Sequence, residues 1–554
     1  MRAYAAAQSC PDNSSIRTSQ GRKAHMSYDF IIIGGGSAGC VIAARLSERA
    51  ENKVLLLESG GRDTNILLKM PFAFTVLRDT PLDWGYSTDP EPFAGGRIVP
   101  TARGKVLGGS SSVNGMMYSR GHPRDYDQWR QMGAEGWSYE DVLPYFRKSE
   151  SNWRGEGPVH GGSGPLKVTP YLSDEPVSRA IKDTARATGH RVLHDFEAGD
   201  PEGFALPDST IYKGCRASAS KAFLEPARER PNLDVVTSAH VLRIVVEKGR
   251  AVAVDYLKAG ETRQVRAERE IILSGGAYAS PQILMLSGIG PAEHLKGHGI
   301  PVQLDLPGVG SGLQEHPLVP MSFGLKKPLR FTKRLRADRL AFAGLRWLLT
   351  GRGLPSVPLS CIAYHKSRPD LERPDLETIF MATNMMARPW FPGWKKPQPD
   401  ALTMMNVVLR PGSRGSVRLR SSDPLDKPRI QLNLLQDPED LRLLRYATRW
   451  TRDFVRNAPL AEYVGDEMLP GSAVNGDAEL DEVIRQVVTI GQHPTSTCRM
   501  GNDEDAVVDA ELRLRGVEGL RVADASVMPT LIGGHTNAPS MMIGERAADI
   551  LMAS

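Results

Sequence analysis

The segment from Phe30 to Glu58 constrains the fold more than any other part of the chain. Phe30 to Ile33 is an unbroken aromatic and β-branched run, and the six residues after it read Gly34-Gly35-Gly36-Ser37-Ala38-Gly39. Val41 to Arg49 then reads as helix, and Lys53 to Leu57 as a second buried strand ending in Glu58. Strand, crossover helix and strand in this order make a βαβ unit, whose connection is right-handed and whose strands are parallel. In Gly34-x-Gly36-x-x-Gly39 the glycines permit a tight turn, a close approach of backbone to a pyrophosphate, and close helix packing. The open N–H groups at the helix start attract the anion. Glu58, 19 residues beyond Gly39, stands where a carboxylate accepts hydrogen bonds from an adenosine ribose. The pattern predicts a bound dinucleotide without deciding between NAD and FAD.

Composition removes several other classes. Lys+Arg 69 against Asp+Glu 64 leaves +5 over 554 residues, too weak a field to hold a polyanion, so nucleic acid is not an expected partner. A 41% hydrophobic content suffices for a large core, and 54 glycines exceed the usual share of roughly 7%. Five scattered cysteines with no CxxC pair indicate neither a disulfide framework nor a thiolate metal site, so no metal is expected and a reducing, cytoplasmic compartment fits. The uncharged stretch Phe30 to Ala44 is shorter than the roughly 20 residues of a membrane helix and is broken by four glycines. Residues 1–25 lack the apolar region of a secretory signal and are read as a leader or tag, with Met26 as the natural start.

Further along, 61–113 reads as extended loops, 125–150 as amphipathic helix and 151–175 as a glycine-rich loop. Leu233 to Val236, Val241 to Glu247, Ala251 to Tyr256 and Glu270 to Ser274 are short β-rich runs, followed by Gly275-Gly276 and a helix from Ser280. Residues 316–488 mix helices and strands with proline-rich joints. Leu520 to Val522 is another buried strand, and Ser540 to Met552 a closing helix.

Two long segments decide the dinucleotide. Arg103-Gly104-Lys105-Val106-Leu107-Gly108-Gly109-Ser110-Ser111-Ser112-Val113-Asn114-Gly115 and Gly276 through Gly290 resemble the two signature segments of the glucose-methanol-choline (GMC) oxidoreductases. Leu306-Pro307-Gly308 through Glu315-His316-Pro317, His493-Pro494 with Thr497-Cys498-Arg499-Met500-Gly501, and Gly519 through Pro539 continue the resemblance in family order over 28–552. It implies an α/β fold: a Rossmann-like FAD-binding domain with an inserted α+β substrate-binding domain, a mixed sheet flanked by helices. The expected boundaries are 26–150, 211–315 and 489–554 for three parts of the FAD-binding domain, 151–210 for a connecting and lid segment, and 316–488 for the substrate-binding domain.

By the same resemblance Gly34, Gly36, Ser37, Ala38, Gly39 and Glu58 hold the ADP half of FAD, with Trp84 and Val241 near the adenine. Arg103, Val106, Gly109, Ser110, Asn114, Gly115, Met116 and Met117 line the flavin end, and Asp524 the ribityl and pyrophosphate region. Some relatives attach FAD through a His just before the Asn of the first signature; Val113 stands there, so a non-covalent flavin is expected. The implied reaction is oxidation of an alcohol by proton abstraction and hydride transfer to flavin N5. A histidine with an unperturbed pKa of ~6.5 serves as base near neutral pH. The family's base matches His493 and its partner matches Asn537, which would also touch the flavin, with His535 ranked second. The closing helix, with Pro539 in its first turn, would aim its positive end at the flavin.

Gln492 stands before His493 where many relatives carry an aromatic residue, which favours a neutral alcohol over choline. Electrons are expected to pass to a quinone or other carrier, with choline dehydrogenase and an O2-using oxidase as alternatives; the oligomeric state is open. A light-driven fatty-acid decarboxylase shares the fold, but that branch resembles this chain neither at His493 nor near Ile379, where it carries Arg. A non-catalytic flavoprotein would be expected to lose the base. Lys326, Lys327, Arg330, Lys333, Arg334, Arg336, Arg339 and Arg346 alternate with Leu335, Leu340, Phe342, Leu345 and Trp347. Such a segment suits either a solvated helix face or weak peripheral contact with an anionic membrane.

Overall fold

The computed structural model describes residues 27–352 and 358–553; the segment 1–25 and Met26 lie outside the described residues. Strand β1 (Ser27–Ile33) leads into helix α1 (Ser37–Leu46) and strand β2 (Val54–Leu57). The region 125–150 holds two helices, α2 (Pro123–Gln131) and α3 (Tyr139–Ser149). They separate where Gly133 and Gly136 adopt φ of +92° and +78°, and a Ser138–Asp141 capping box opens the second helix. The region 151–175, expected as loop, carries a half-buried strand at Leu166–Pro170. Helix α4 (Pro176–Ala187) and strand β3 (Gly203–Ala205) follow.

Next come β4 (Leu233–Val236), β5 (His240–Glu247), β6 (Arg250–Lys258) and β7 (Glu261–Leu273). β7 is 13 residues long because its exposed, charged first half, invisible to an apolar pattern, pairs antiparallel with β6. Helix α5 (Gly276–Leu286) begins four residues before the expected Ser280, whose Oγ instead accepts the Gly275 N–H at 3.0 Å. Pro281 inside α5 has no N–H to offer Ala277 O, and that carbonyl accepts the Thr497 hydroxyl at 2.7 Å. The remainder comprises β8 (Pro317–Leu325), α6 (Ala337–Thr350), β9 (Leu359–His365), β10 (Leu376–Met381) and β11 (Ala401–Val408). It ends with α7 (Pro438–Val455), β12 (Val464–Leu469), β13 (Leu520–Val522) and α8 (Asn537–Ala553).

Two sheets result. The first runs β4-β2-β1-β7-β6-β5, with β13 on the second half of β7. Its centre is parallel, in the register Ile32↔Leu56, Ile32↔Ile272 and Leu273↔Val522, and every one of these residues is buried. Helix α1 packs against it and α8 packs on α1, Gly544 allowing the close approach because a Cβ there would lie 2.8 Å from Ala38 O. Arg45 and Glu545 join them through two 2.8 Å hydrogen bonds.

The second sheet runs β12-β8-β11-β10-β9-β3 and is antiparallel. Its outlying strand β3 comes from 151–210, so that segment builds part of this sheet. Alternation along β10 sends Phe380 into a core with Met404 and Phe454, and Ile379 into another with Leu318 and Val407.

A Cβ on Gly39 would lie 1.9 Å from Gly34 O, whereas one on Gly61 would meet nothing within 4 Å. Gly39→Ala is expected to cost at least ~1–3 kcal/mol, seen as a lower urea midpoint, while Gly61→Ala stays within ~0.5 kcal/mol.

Candidate active site

The carboxyl ends of β1, β2 and β7 open into a cavity of about 780 Å³, and the facing wall is the side of β10 and β11 that carries Glu377, Ile379, Met405 and Val407. At one end no side chain caps the N-terminus of α1, leaving its N–H groups open toward an anion. Gly34 turns there with φ of +103°, and a Cβ on it would sit 2.4 Å from Ser274 O. Gly36 and Gly115 also line the cavity. A Cβ on Gly36 would meet only Ser274 O, at 4.0 Å, and one on Gly115 would meet nothing within 4 Å. The backbone thus keeps space clear that side chains would otherwise fill, which fits a dinucleotide.

Ser37, Ala38 and Glu58 line this end. Glu58 accepts the Gly35 N–H at 2.8 Å and the Gly60 N–H at 2.7 Å. Burial outweighs these bonds and pushes its carboxyl up to about 7. Trp84 stacks on Tyr86 at 5.5 Å and shares the wall with Val241. Farther in, Arg103, Gly109, Ser110, Asn114, Met116 and Met117 face the same space, and so does Asp524, which accepts from Gly276 N and Ser280 Oγ at 2.8 and 2.6 Å. Gly39 and Val106, expected among the residues that hold the cofactor, do not line the cavity. Gly39 packs on Gly34, and Val106 is buried in a small core with Leu68 and Leu77.

Three imidazoles meet at the other end. His316 Nδ1 lies 3.0 Å from His493 Nδ1, and the rings of His493 and His535 meet edge to face at 4.9 Å. His316 Nε2 faces Leu409 O at 3.1 Å. A carbonyl only accepts, so His316 carries its proton on Nε2. Burial above all, then His535, drives its pKa down to about 3, leaving Nδ1 a bare acceptor. His493 must then donate from Nδ1. Burial, with His535, His316 and Arg103 as neighbouring cations or potential cations, holds it well below its ordinary value, so its Nε2 keeps an open lone pair. Glu315 accepts the backbone N–H of His493 at 2.7 Å and that of His316 at 2.9 Å. Gln492 sits at φ +67°, its carbonyl and side chain both held by Arg103 at 2.6 and 3.2 Å, which sets the direction in which the chain enters His493.

Asn537, expected beside His493, opens α8 and accepts the Ser37 hydroxyl at 2.8 Å, so its side chain is committed to the glycine turn. The residue that meets His493 is His535, two positions earlier and ahead of the helix. Its Nε2 lies 3.1 Å from Glu377 Oε1, a carboxylate 2% exposed on β10. Glu377 went unnoticed in the sequence, although a lone acid in Leu-Glu-Thr-Ile-Phe-Met, a run otherwise suited to burial, is a visible signal. His316 and Glu315 were seen only as part of a motif.

Comparison with known proteins agrees with the cavity's form. The family models described as GMC oxidoreductase match residues 28–318 and 411–544. An oxygen-dependent choline dehydrogenase of Brucella anthropi is 41% identical over 95% of this chain and 96% of its own, and one of Sinorhizobium fredii is 40% identical over the same shares. Among solved structures, pyridoxine 4-oxidase from Mesorbium loti superposes with a TM-score of 0.85 at 31% identity, over 95% of this chain and 100% of that one. Formate oxidase of Aspergillus oryzae superposes with 0.87 at 28% identity, covering 95% and 98%.

Two outcomes are expected. Gly36→Ala leaves the fold intact, since no protein atom crowds the new methyl, but lowers the 450 nm absorbance per protein after purification. Second, between ~6.5 and about 3 the unfolded chain binds a proton that folded His316 does not. Its contribution is intact above ~6.5 and is lost as pH falls through that window. Thermal midpoints from pH 8 to 4 should decline, less steeply in His316→Gln.

Proposed function

The chain belongs to the GMC oxidoreductase family and is an FAD-dependent enzyme of alcohol oxidation, and from that premise we propose that His493 is the base that takes the hydroxyl proton of a CH–OH donor. FAD, when bound, supplies the acceptor for the hydride that leaves the carbinol carbon. The observation that carries the assignment is the relay from Leu409 O through His316, which leaves His493 Nε2 unprotonated at the cavity wall. A base must offer a lone pair within reach of the proton it removes, and a fixed ring loses no time or free energy in reorienting.

His535 is the second imidazole at the substrate oxygen in this reading, and it replaces Asn537 in that role. Glu377 accepts from Nε2 of His535, setting the ring's tautomer and leaving Nδ1 for the substrate. Ser37, Asn537 and the N-terminus of α1 are assigned to the pyrophosphate, Glu58 to the ribose, and Arg103 and Asn114 to the flavin end. Val113 in place of histidine supports non-covalent attachment.

The substrate is a neutral alcohol that oxidation turns into an aldehyde or ketone, and the electrons pass on to a quinone or another carrier. Gln492 is not aromatic, and the carboxylate on the wall of β10, Glu377, already faces an imidazole, so a trimethylammonium group finds little there to balance its charge. Choline is the second reading, favoured by the 41% identical choline dehydrogenase.

Anaerobic addition of benzyl alcohol, 1-octanol or choline to the purified protein tests this directly. A neutral alcohol should bleach the flavin, and turnover with a quinone or dye should exceed turnover with O2 alone. His493→Ala is expected to keep its FAD and lose ~10²–10⁴-fold in kcat, with a smaller loss in Glu377→Gln. Because the base is held neutral, the acid limb of kcat/KM should lie below ~6.5; a limb above that value would remove His493 from the role.

A further inference from the structure

Helix α6 is amphipathic with its apolar stripe turned to water. Phe342, Leu345 and Leu349 follow the i, i+3, i+7 spacing of one face, with Leu348 beside them, and all four are exposed, Phe342 by 70% and Leu349 by 67%. The opposite side is anchored by Trp347, which is buried and whose Nε1–H donates to Gly214 O at 2.7 Å. The orientation is therefore fixed by packing.

A second exposed apolar group adjoins it. Trp390 ties its segment to the start of α6 through Ala337 N to Trp390 O at 2.8 Å and Trp390 Nε1 to Thr332 O at 2.9 Å. Around it Met385, Met386, Phe391 and Trp394 are exposed, Trp394 by 62%. These two segments hold eight of the seventeen large exposed apolar side chains among the described residues, so the surface is a patch rather than scatter.

The charge around the patch has one sign. Lys333, Arg339, Arg346, Arg388, Lys395 and Lys396 have no carboxylate within salt-bridge distance among the described residues, and Lys395 lies 4.7 Å over the Trp394 ring. The one acid in the two segments is Asp338, which pairs with Arg336, and Asp174, from the loop before α4, pairs with Arg334. A second copy of the chain would bring the same cations against these, which argues against self-association. Large apolar side chains, tryptophans and open cations on one surface match the interface of a bilayer that carries anionic lipid. Phe331, Leu335, Met385 and Ala387 line the cavity as well as bordering the patch, and Met385 is exposed, so this surface borders an opening of the active-site cavity.

We propose that α6 and the segment 384–396 form a monotopic docking surface for an anionic membrane, seating the mouth of the cavity on the lipid so that apolar molecules enter and leave through the bilayer. The proposal stands apart from the assignment of His493, since docking needs no turnover.

The test is flotation of the full-length holoprotein with phosphatidylcholine vesicles, with or without 30% phosphatidylglycerol, at low and at 0.5 M salt. The Debye length falls from ~10 Å at 0.1 M to a few ångströms near 1 M, so the protein should float with the anionic vesicles and do so markedly less at high salt. Leu345→Ser/Leu349→Ser should lose at least about tenfold in vesicle-bound fraction, since buried apolar area drives insertion. Arg339→Gln/Arg346→Gln should lose only the anionic preference. Both variants should keep their thermal midpoint, FAD content and turnover of a water-soluble alcohol. The proposal is overturned if the wild type stays unbound to anionic vesicles, if both variants float like the wild type, or if sedimentation shows a dimer that the serine variant dissociates.

Discussion

A main-chain carbonyl decides which nitrogen of His493 is open to chemistry. Leu409 O cannot donate, and the buried ring of His316 that faces it cannot carry a second proton near neutral pH, so the proton order along Leu409, His316 and His493 has one solution. The reverse order would leave the inter-histidine bond made but set the His316 Nε2 lone pair against that of Leu409 O, at ~1–3 kcal/mol for each buried group left unsatisfied. The relay is built from secondary structure: Leu409 follows β11, and His316 precedes β8, the strand beside it. Pairing those strands sets the tautomer. Glu315 adds a second constraint by gripping both histidines through their backbone N–H groups, and the shared burial pushes its own carboxyl up to about 7.

The same logic of distant closure joins the two ends of the cavity. Ser37 and Asn537 are 500 positions apart and share one hydrogen bond; Arg45 and Glu545 repeat that separation about two helix turns deeper. Glu545 is fully buried, so a buried ion pair of this kind is costly to break from either side and does more for register than for net stability. Its effect is to fix α8 along α1, and with it the loop that holds His535. The glycine turn and the imidazole pair therefore belong to one rigid unit, although the sequence writes them at opposite ends.

How much of this was legible in the sequence depended on how local the signal was. Strand β1, its glycine turn, α1 and β2 are specified by neighbours within about 30 residues, and they stand where the pattern put them. The resemblance carried the family, the cofactor and the two-part fold. What the sequence does not show is which side chains meet through three-dimensional closure. The choice between His535 and Asn537 turns on where α8 begins: a residue inside its first turn points at Ser37, and one ahead of it reaches His493. Glu377 was hidden because nothing nearby in sequence announces its partner, 158 positions away. Val106 belongs to a motif that shapes the cavity while its own side chain packs elsewhere, a distinction no motif contains.

Helix α6 poses a different problem, because its sequence has the apolar periodicity of an ordinary core helix. Rolling it by half a turn would bury Phe342, Leu345 and Leu349, each worth ~1.5–3 kcal/mol if fully removed from water. That alternative is blocked by Trp347, whose indole already fills the slot and whose N–H is spent on Gly214 O. The helix ends at once in Gly351, at φ +67°, packed so closely that a Cβ on Gly214 would fall 1.8 Å from Gly351 O. One tryptophan and a pair of glycines thus hold the helix against the hydrophobic effect acting on its outer face. A chain that merely needed a stable helix here would gain by exchanging those leucines for polar residues. The arrangement makes physical sense when the outer face has an apolar phase to meet, and an entrance to the cavity lies beside it.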